Sequence, residues 1–326
     1  MKKALVAVLL ACMSVFICSC NKFSIGTEKT ITLPSLGSPF HVIEFCDDVN
    51  VKLLHCDATH AAGTIQIKAG ENLIDNIGAV IQDSSEYFIA PKDTLDFING
   101  DTVWLNKLVI SNNNTLSFLH SYDYSIEMTV YYDSLYHLIF NSNADNIRTD
   151  TLTGYNYPTQ LTQNDLTWTD LAPNLLIEVE GGSGSFNMLT NCYRVTTKVF
   201  HGTSDVSISG IASIASTFAD YDCHGTIDGS KLYSHIHYVT SHGTNRVFAK
   251  AYSELSAHND NTGEIHYIKF IKQKYDFIPA DETYPYGHYD WVSHYCPENL
   301  KYNGQKLNSW NYDNSIPGLV KENEPQ

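Results

Sequence analysis

The sequence predicts an all-β protein built as a β-solenoid, with the repeat most visible in its second half. The chain has 326 residues with 21 Tyr but only 4 Met, and together with abundant Thr, Ile and Val this composition is typical of strands. Apolar and polar residues alternate in short segments such as Thr64–Lys68, which is the pattern of a half-buried strand. Glycine corners return at a nearly constant spacing in the second half, which indicates one unit stacked on copies of itself.

Residues 1–20 are typical of a lipoprotein signal peptide. Two lysines precede an apolar run, Ala4–Ile17, which is too short for a transmembrane helix. The run ends at Ile17-Cys18-Ser19-Cys20, which resembles the bacterial lipobox and predicts lipidation at Cys20. Asn21 stands where an aspartate retains such proteins in the inner membrane, so we expect an outer-membrane lipoprotein that faces the periplasm or the cell surface. A cleaved signal followed by a chance cysteine is the alternative.

The charge of the chain excludes some partners. The formal net charge is −16, and it becomes −18 when Lys2 and Lys3 leave with the signal (18 basic against 36 acidic residues). Such a chain has no electrostatic footprint for nucleic acid and is repelled by anionic lipid surfaces. We therefore expect attachment to a membrane through the N-terminal lipid alone.

Five cysteines follow the predicted lipid site, and their redox state is open. Export permits disulfides, but an odd number leaves at least one thiol unpaired, and no pair has the C-x₂-C spacing of a zinc site. Buried small residues are an equally good interpretation. No metal and no cofactor are predicted. The five are Cys46, Cys56, Cys192, Cys223 and Cys296.

The elements follow in order along the chain. Residues 21–38 predict a tether, and residues 39–270 predict the β-solenoid domain. Residues 153–174 lack a period and contain two prolines, so we expect a loop or insertion there. Strands are predicted in the first half at Val49–Leu53, Thr64–Lys68, Glu86–Ile89, Val103–Ser111, Thr115–Leu119, Ser125–Tyr131 and Leu138–Asn141.

The repeat in the second half is marked by Gly182, Gly202, Gly225, Gly243 and Gly263, at intervals of 20, 23, 18 and 20 residues. The middle three lie in His-Gly-Thr tripeptides. A unit of this length with period-two alternation predicts one coil of a solenoid that turns at its glycine. A sandwich of antiparallel hairpins is the competing topology, and it explains the alternation but not the return of the same tripeptide.

Three histidines precede these glycines, namely His201, His224 and His242. If the coils are in register, their imidazoles form a ladder at about 4.8 Å spacing, which could stack or hold a metal ion. The alternative is that each occupies only a turn position. We favour it, because metal ligands converge on a point and a ladder runs parallel.

Catalytic signatures are missing from the sequence, which has no Gly-x-Ser-x-Gly, no phosphate-binding glycine loop and no His-Glu-x-x-His. Asp47-Asp48 and the Asp220/Asp222 pair suit a cation or a sugar, but in a chain with 36 acidic residues solvated surface acids are the simpler interpretation. A polysaccharide lyase is the enzymatic alternative, and it needs a base beside acidic ligands on one face.

Residues 271–326 form an extension that is rich in aromatic residues. We expect residues 275–326 to cap the exposed end of the solenoid, because an uncovered end invites aggregation. The alternative is a carbohydrate platform, since sugars stack on Trp and Tyr. The residues concerned include Trp291, Tyr295, Trp310 and Tyr312.

Residues from about 40 to 270 resemble the head GIN domain family of putative auto-transporter adhesins. The resemblance lies in Phe40–Ile43 with Val49–Leu53, in Gly70–Ile77, and in the glycine corners that end at Asn261–Tyr267. It implies a right-handed parallel β-helix without a cofactor or a known active site. The corner histidines, residues 153–174 and the aromatic tail depart from the family pattern.

The function expected from the residues and the resemblance is that of a non-catalytic envelope lipoprotein, adhesin-like or structural, with an envelope protein or a glycan as its partner. The alternative is a glycan-binding or lyase-type protein on the same scaffold.

Overall fold

A computed structural model describes residues 26–33, 40–45, 50–74, 77–89, 101–112, 126–140, 146–152, 174–280, 282–283 and 285–324. The predicted signal peptide with Cys20, residues 153–173 of the predicted insertion, Cys46, Asp47-Asp48 and the strand predicted at Thr115–Leu119 lie outside these residues. Within the part of the chain that the structure describes, no helix is long and apolar enough to cross a membrane.

The protein is all-β, which confirms the predicted class. One helical turn, α1 (Glu71–Ile74), interrupts the strands. The strands are β1 (Glu28–Leu33), β2 (Val42–Phe45), β3 (Asn50–His55), β4 (Ile65–Gly70), β5 (Ile77–Ile89), β6 (Asp101–Asn112), β7 (Glu127–Tyr132), β8 (His137–Phe140), β9 (Asn146–Leu152), β10 (Asn174–Val179), β11 (Ser185–Gly202), β12 (Asp205–Cys223), β13 (Thr226–Ser241), β14 (Arg246–Ala249), β15 (Glu254–Asn259), β16 (Glu264–Ile278), β17 (His288–Cys296), β18 (Asn299–Tyr302), β19 (Gln305–Leu307) and β20 (Leu319–Asn323).

The first half mixes antiparallel and parallel pairs. β4 pairs antiparallel with both β1 and β7, and β5 pairs antiparallel with β6. β2 and β3 pair in parallel with β8 and β9. The segment predicted as a tether, 21–38, thus contains strand β1, whose Ile31 and Leu33 pack against the core. Burial of these two side chains explains why the strand forms where the sequence shows only weak alternation.

The second half is a run of parallel pairs with the spacing that the sequence predicts. Asn174 pairs with Arg194, Ser185 with Asp205 and Ser209 with Lys231, so partners in these three pairings are 20 to 22 residues apart. β13 continues the series onto β14 and β15, again in parallel. Antiparallel hairpins, the competing topology, are therefore not how β10 to β15 pair.

Because the strands pair in parallel, equivalent positions of successive strands lie side by side in buried apolar columns. One column consists of six side chains, each at most 1% exposed. Neighbouring parallel strands thus bury the same face of one another, which is why the alternation holds over such long segments. The column runs Phe186, Val206, Ile227, Val247, Ile265 and Leu319.

The C-terminal extension has two parts. β18 pairs in parallel with β15, and β20 pairs in parallel with β16, so that both add to the end of the stack. Tyr302 and Tyr312 are buried in its core. β17 instead pairs antiparallel with the second half of β16, in a two-stranded hairpin. Trp291 and Tyr295 of that strand, which were expected to lie in the cap, are exposed.

Candidate interaction surface

The corner glycines lie in two columns. The backbone N–H groups of Thr203, His224 and Thr244 donate to the carbonyls of Gly182, Gly202 and Cys223, so each corner sits directly on the one before. Gly225 lies two residues further along, over Ser204. The first column therefore contains Gly182, Gly202, Cys223 and Gly243, and the second contains Ser204, Gly225, Asn245 and Gly263.

Two corner glycines are required by sterics. Gly202 has a φ of 92°, and a Cβ there would lie 2.3 Å from the carbonyl oxygen of Gly182. At Gly225 a Cβ would lie 1.9 Å from the carbonyl oxygen of Ser204. Backbone meets backbone at these corners, so no side chain fits.

The three corner histidines do not form a single row. His201 is level with Asp222, because the register between β11 and β12 shifts by one residue after Val199. The Nδ1 of His224 lies 2.6 Å from the Oγ1 of Thr244. The Nδ1 of His242 lies 2.8 Å from the Oδ1 of Asp260. The imidazoles of His224 and His242 thus have separate local partners, and the described residues contain no group of three or more His, Cys, Asp or Glu suited to a metal ion.

The acidic pair and the cysteines have local roles. Asp220 accepts a hydrogen bond from the backbone N–H of Tyr221 at 2.8 Å. Cys56, Cys192, Cys223 and Cys296 are free thiols. Burial raises the pKa of Cys192 to about 12 and the pKa values of Cys223 and Cys296 to about 11, so these three thiols stay protonated and act as small apolar residues.

The hairpin of β16 and β17 presents an aromatic face to solvent. Partners run from Phe270 opposite Cys296 to Ile278 opposite His288, and alternate side chains share a face. Six side chains on one face are each between 51% and 63% exposed. We call them the aromatic face: Ile271, Tyr275, Phe277, Tyr289, Trp291 and Tyr295.

Rings of this face contact one another. The Tyr275 centroid lies 5.6 Å from that of Tyr289 and 5.5 Å from that of Trp291. Phe277 lies 5.4 Å from Tyr289. Such pairs favour offset or edge-to-face geometry and hold each other's rotamers. The result is a preformed apolar ribbon rather than separate mobile rings.

The charges of the hairpin lie on its opposite face. Asp276 contacts the Nε2 of His294 at 2.6 Å and the Nζ of Lys274 at 3.1 Å. The Lys272 ammonium lies 4.8 Å from the centroid of the Tyr252 ring, which belongs to the stack. This face ties the hairpin to the stack and leaves the aromatic face without a charged group.

A groove of about 600 Å³ adjoins the aromatic face. Trp310 forms its wall, with its ring centroid 4.4 Å from that of Tyr295, and the Lys269 ammonium lies 4.5 Å from the Trp310 centroid. Polar groups complete the lining, among them Glu298, Lys306, Asn308 and Asn311.

A second pocket, of about 360 Å³, lies at the root of the hairpin and is mainly apolar. Lys250 in its wall is 3% exposed, and its Nζ lies 2.5 Å from the Oε1 of Glu324 and 3.7 Å from the centroid of Tyr233. This contact fastens the chain after β20 to the stack. No Asp or Glu lines the pocket, so it lacks the acidic lining that a lyase would need.

The sequence had singled out Trp291, Tyr295 and Trp310, but it did not show that Tyr275 and Phe277 join them. Alternation through Ile271–Phe277 was the available signal, because it continues the strand beyond the boundary set at residue 270.

No protein-family model matches the chain, and no curated protein matches it. The crystal structure of a putative adhesin from Bacteroides fragilis is similar, with a TM-score of 0.52 and 18% identity over 74% of this chain and 88% of that chain. Two structures from Parabacteroides distasonis also match, each over 74% of this chain and 90% of the other. They are a putative adhesin (TM-score 0.40, 16% identity) and a putative lipid binding protein (TM-score 0.43, 13% identity). The first likeness shows that this chain shares its fold with the Bacteroides fragilis protein.

Proposed function

We propose that this protein is a non-catalytic, adhesin-like lipoprotein of the outer membrane, built on a right-handed parallel β-helix of the head GIN type. The observation that carries the proposal is the aromatic face, which stands on a hairpin at the end of a parallel stack. Contiguous exposed apolar surface of this kind marks an interaction site. The fold shared with a putative adhesin is consistent with the same role.

The β-helix interpretation rests on register. From β10 to β13, successive strands pair in parallel at offsets of 20 to 22 residues, and the glycine corners stack in columns. Both features are those of a chain that returns to the same path once per coil.

The placement of the hairpin supports an outward-facing role. Nine successive pairings lead from β1 to β16 through β4, β7, β3, β9, β11, β12, β13 and β14. At about 4.8 Å for each pairing, the path along the sheet from β1 to β16 is about 43 Å long. A lipid on Cys20 would anchor the N-terminal end, so the aromatic face would be held away from that membrane.

The test of anchoring is Cys20→Ala, with Cys18→Ala as the matched control. We expect Cys20→Ala to release the protein from the membrane fraction and to change its electrophoretic mobility, whereas Cys18→Ala leaves both as they were. Retention of Cys20→Ala in the membrane with unchanged mobility would show that the chain is not a lipoprotein.

The side of the membrane is tested by protease shaving of intact cells. An adhesin faces outward, so we expect the protease to digest the chain while a periplasmic marker stays intact. Digestion only after the outer membrane has been permeabilised would contradict the adhesin-like role.

A further inference from the structure

We infer that the aromatic face and the groove beside Trp310 together form a binding site for a neutral glycan chain. The inference rests on the proposed function and names the ligand class of that interaction module.

The rings provide the stacking surface. Tyr275, Tyr289 and Trp291 form a contiguous group, and Tyr295 with Trp310 forms a second group. Tyr275 and Ile271 are four residues apart on one strand, so about 13 Å separates the two groups. The C–H faces of pyranose rings pack on aromatic faces, and tyrosine hydroxyls can stay in water or bond to sugar hydroxyls. An extended chain of sugars could contact both groups at once.

Polar side chains lie between and beside the two ring groups, where a purely apolar ligand would leave their hydrogen bonds unused. Gln273 and Ser293 are opposite each other on the hairpin and separate the two ring groups. The groove next to Trp310 also has Asn311 and Lys306 in its lining. Apolar surfaces interleaved with amide, hydroxyl and ammonium groups suit a ligand that has both C–H faces and hydroxyls.

Charge argues for a neutral ligand. The aromatic face has no charged side chain, because Lys272, Lys274 and Asp276 lie on the other face of the hairpin. The groove is lined by both an acidic and a basic side chain, Glu298 and Lys306, so its charges offset each other. The chain as a whole has a formal net charge of −16. It therefore repels anionic lipid surfaces and acidic polymers over distances up to about a Debye length of 8–10 Å.

The area of the aromatic face is too small for a second copy of the chain to be its binding partner. Large aromatic side chains bury about 150–250 Å² each when fully covered. Six side chains that are about half exposed would bury only about 600 Å² in all, whereas a stable interface needs about 800 Å² from each partner. Two copies would also bring like net charges together.

The experiment uses the full-length chain with Cys20→Ala in affinity electrophoresis. The gels contain a neutral polysaccharide, which is dextran, galactomannan or xyloglucan. Gels with polygalacturonate provide the acidic polymer for comparison. We expect at least one neutral polysaccharide to retard the chain. Trp291→Ala should weaken this retardation roughly tenfold, and Trp291→Tyr should restore most of it. Tyr221→Ala is the matched control, because Tyr221 is 60% exposed but lies on β12, away from the hairpin. Equal melting temperatures of the variants would show that all are folded.

Three outcomes would overturn the inference. The first is the absence of retardation by every neutral polysaccharide, and the second is retardation that Trp291→Ala leaves unchanged. The third is a different occupant of the site, seen as Trp291-dependent flotation with phosphatidylcholine vesicles or as Trp291-dependent dimerisation in sedimentation. The proposals of membrane anchoring and of glycan binding are tested independently. Release by Cys20→Ala without polysaccharide binding rejects only the glycan site, and binding by a chain that never reaches the membrane rejects only the lipoprotein.

Discussion

The two halves of β16 differ in what covers them. From Glu264 to Phe270 the strand is mostly buried, and it pairs in parallel with β14 and β20. From Ile271 to Ile278 it is mostly exposed and pairs only with β17, in an antiparallel hairpin. Both halves contain large apolar residues and both are regular strand. The comparison shows that period-two alternation indicates a strand, whereas burial depends on whether another layer covers the apolar side.

The sharpest test of this comparison replaces one aromatic residue in the buried half of β16 and one on the exposed face of the hairpin. Tyr267 is 0% exposed, and its hydroxyl donates to the carbonyl of Ser309 at 2.7 Å. We expect Tyr267→Ala to lower the free energy of unfolding by about 4 kcal/mol, because it leaves a cavity and removes that bond. Trp291→Ala, on the exposed face, should change it by less than about 0.5 kcal/mol. Urea denaturation measures both, and equal losses would mean that the hairpin is packed as tightly as the stack.

The next test concerns the corners that make the stack possible. Gly202→Ala should lower the free energy of unfolding by about 3 kcal/mol or more, because it combines a φ of 92° with a Cβ 2.3 Å from the oxygen of Gly182.

Gly304→Ala separates the cost of a positive φ from the cost of the close contact between backbones. Gly304 has a φ of 79° but no atom within 4 Å of its Cβ position, so only the cost of a positive φ, about 1 kcal/mol, is expected. Similar losses for the two variants would show that close contact between neighbouring parallel strands is not what Gly202 provides.

A pH-dependent test addresses a polar group inside the stack. His237 lies between Ala215 and Leu255 in register and is 1% exposed. Its Nε2 lies 3.0 Å from the Oγ1 of Thr217. Burial lowers the pKa of His237 to about 4 from an ordinary value near 6.5. The unfolded chain therefore takes up a proton that the folded chain refuses, and stability that is present above about pH 6.5 is lost as the pH falls towards 4.

We expect the free energy of unfolding to fall by about 2.5 kcal/mol between pH 7 and pH 4.5 through this group. His237→Gln should remove that part of the slope, while the exposed His224→Gln should not. The hydrogen bond from His137, together with Lys198, lowers the pKa of Glu178 to about 2, so the contribution of Glu178 is lost only below about pH 4.5. An unchanged slope in His237→Gln would contradict the assignment.

The sequence predicted the all-β class and the 20-residue period, because both depend on local pattern. The sequence did not predict which corner residues lie beside one another, because that depends on the pairing register to within one or two residues. Gly225 belongs to a His-Gly-Thr tripeptide, as do Gly202 and Gly243, yet the register places it in the other column with Gly263. Gly225 follows Gly202 by 23 residues, whereas the register places Cys223, 21 residues on, beside Gly202, so Gly225 lies two positions further along.

Local sequence was enough to specify that these segments are strands, because alternation acts within a few residues. The need for glycine at Gly202 and Gly225 comes instead from backbone oxygens of the preceding corner, about 20 residues earlier in the chain, and so belongs to the tertiary structure. Tertiary structure alone decided which apolar faces were covered. Parallel strands bury Phe186, Val206 and Ile227 against one another. Among the described strands, β17 pairs with β16 alone and leaves Trp291 in solvent. Burial is a property of the neighbouring layer, and the pattern of a single strand does not contain it.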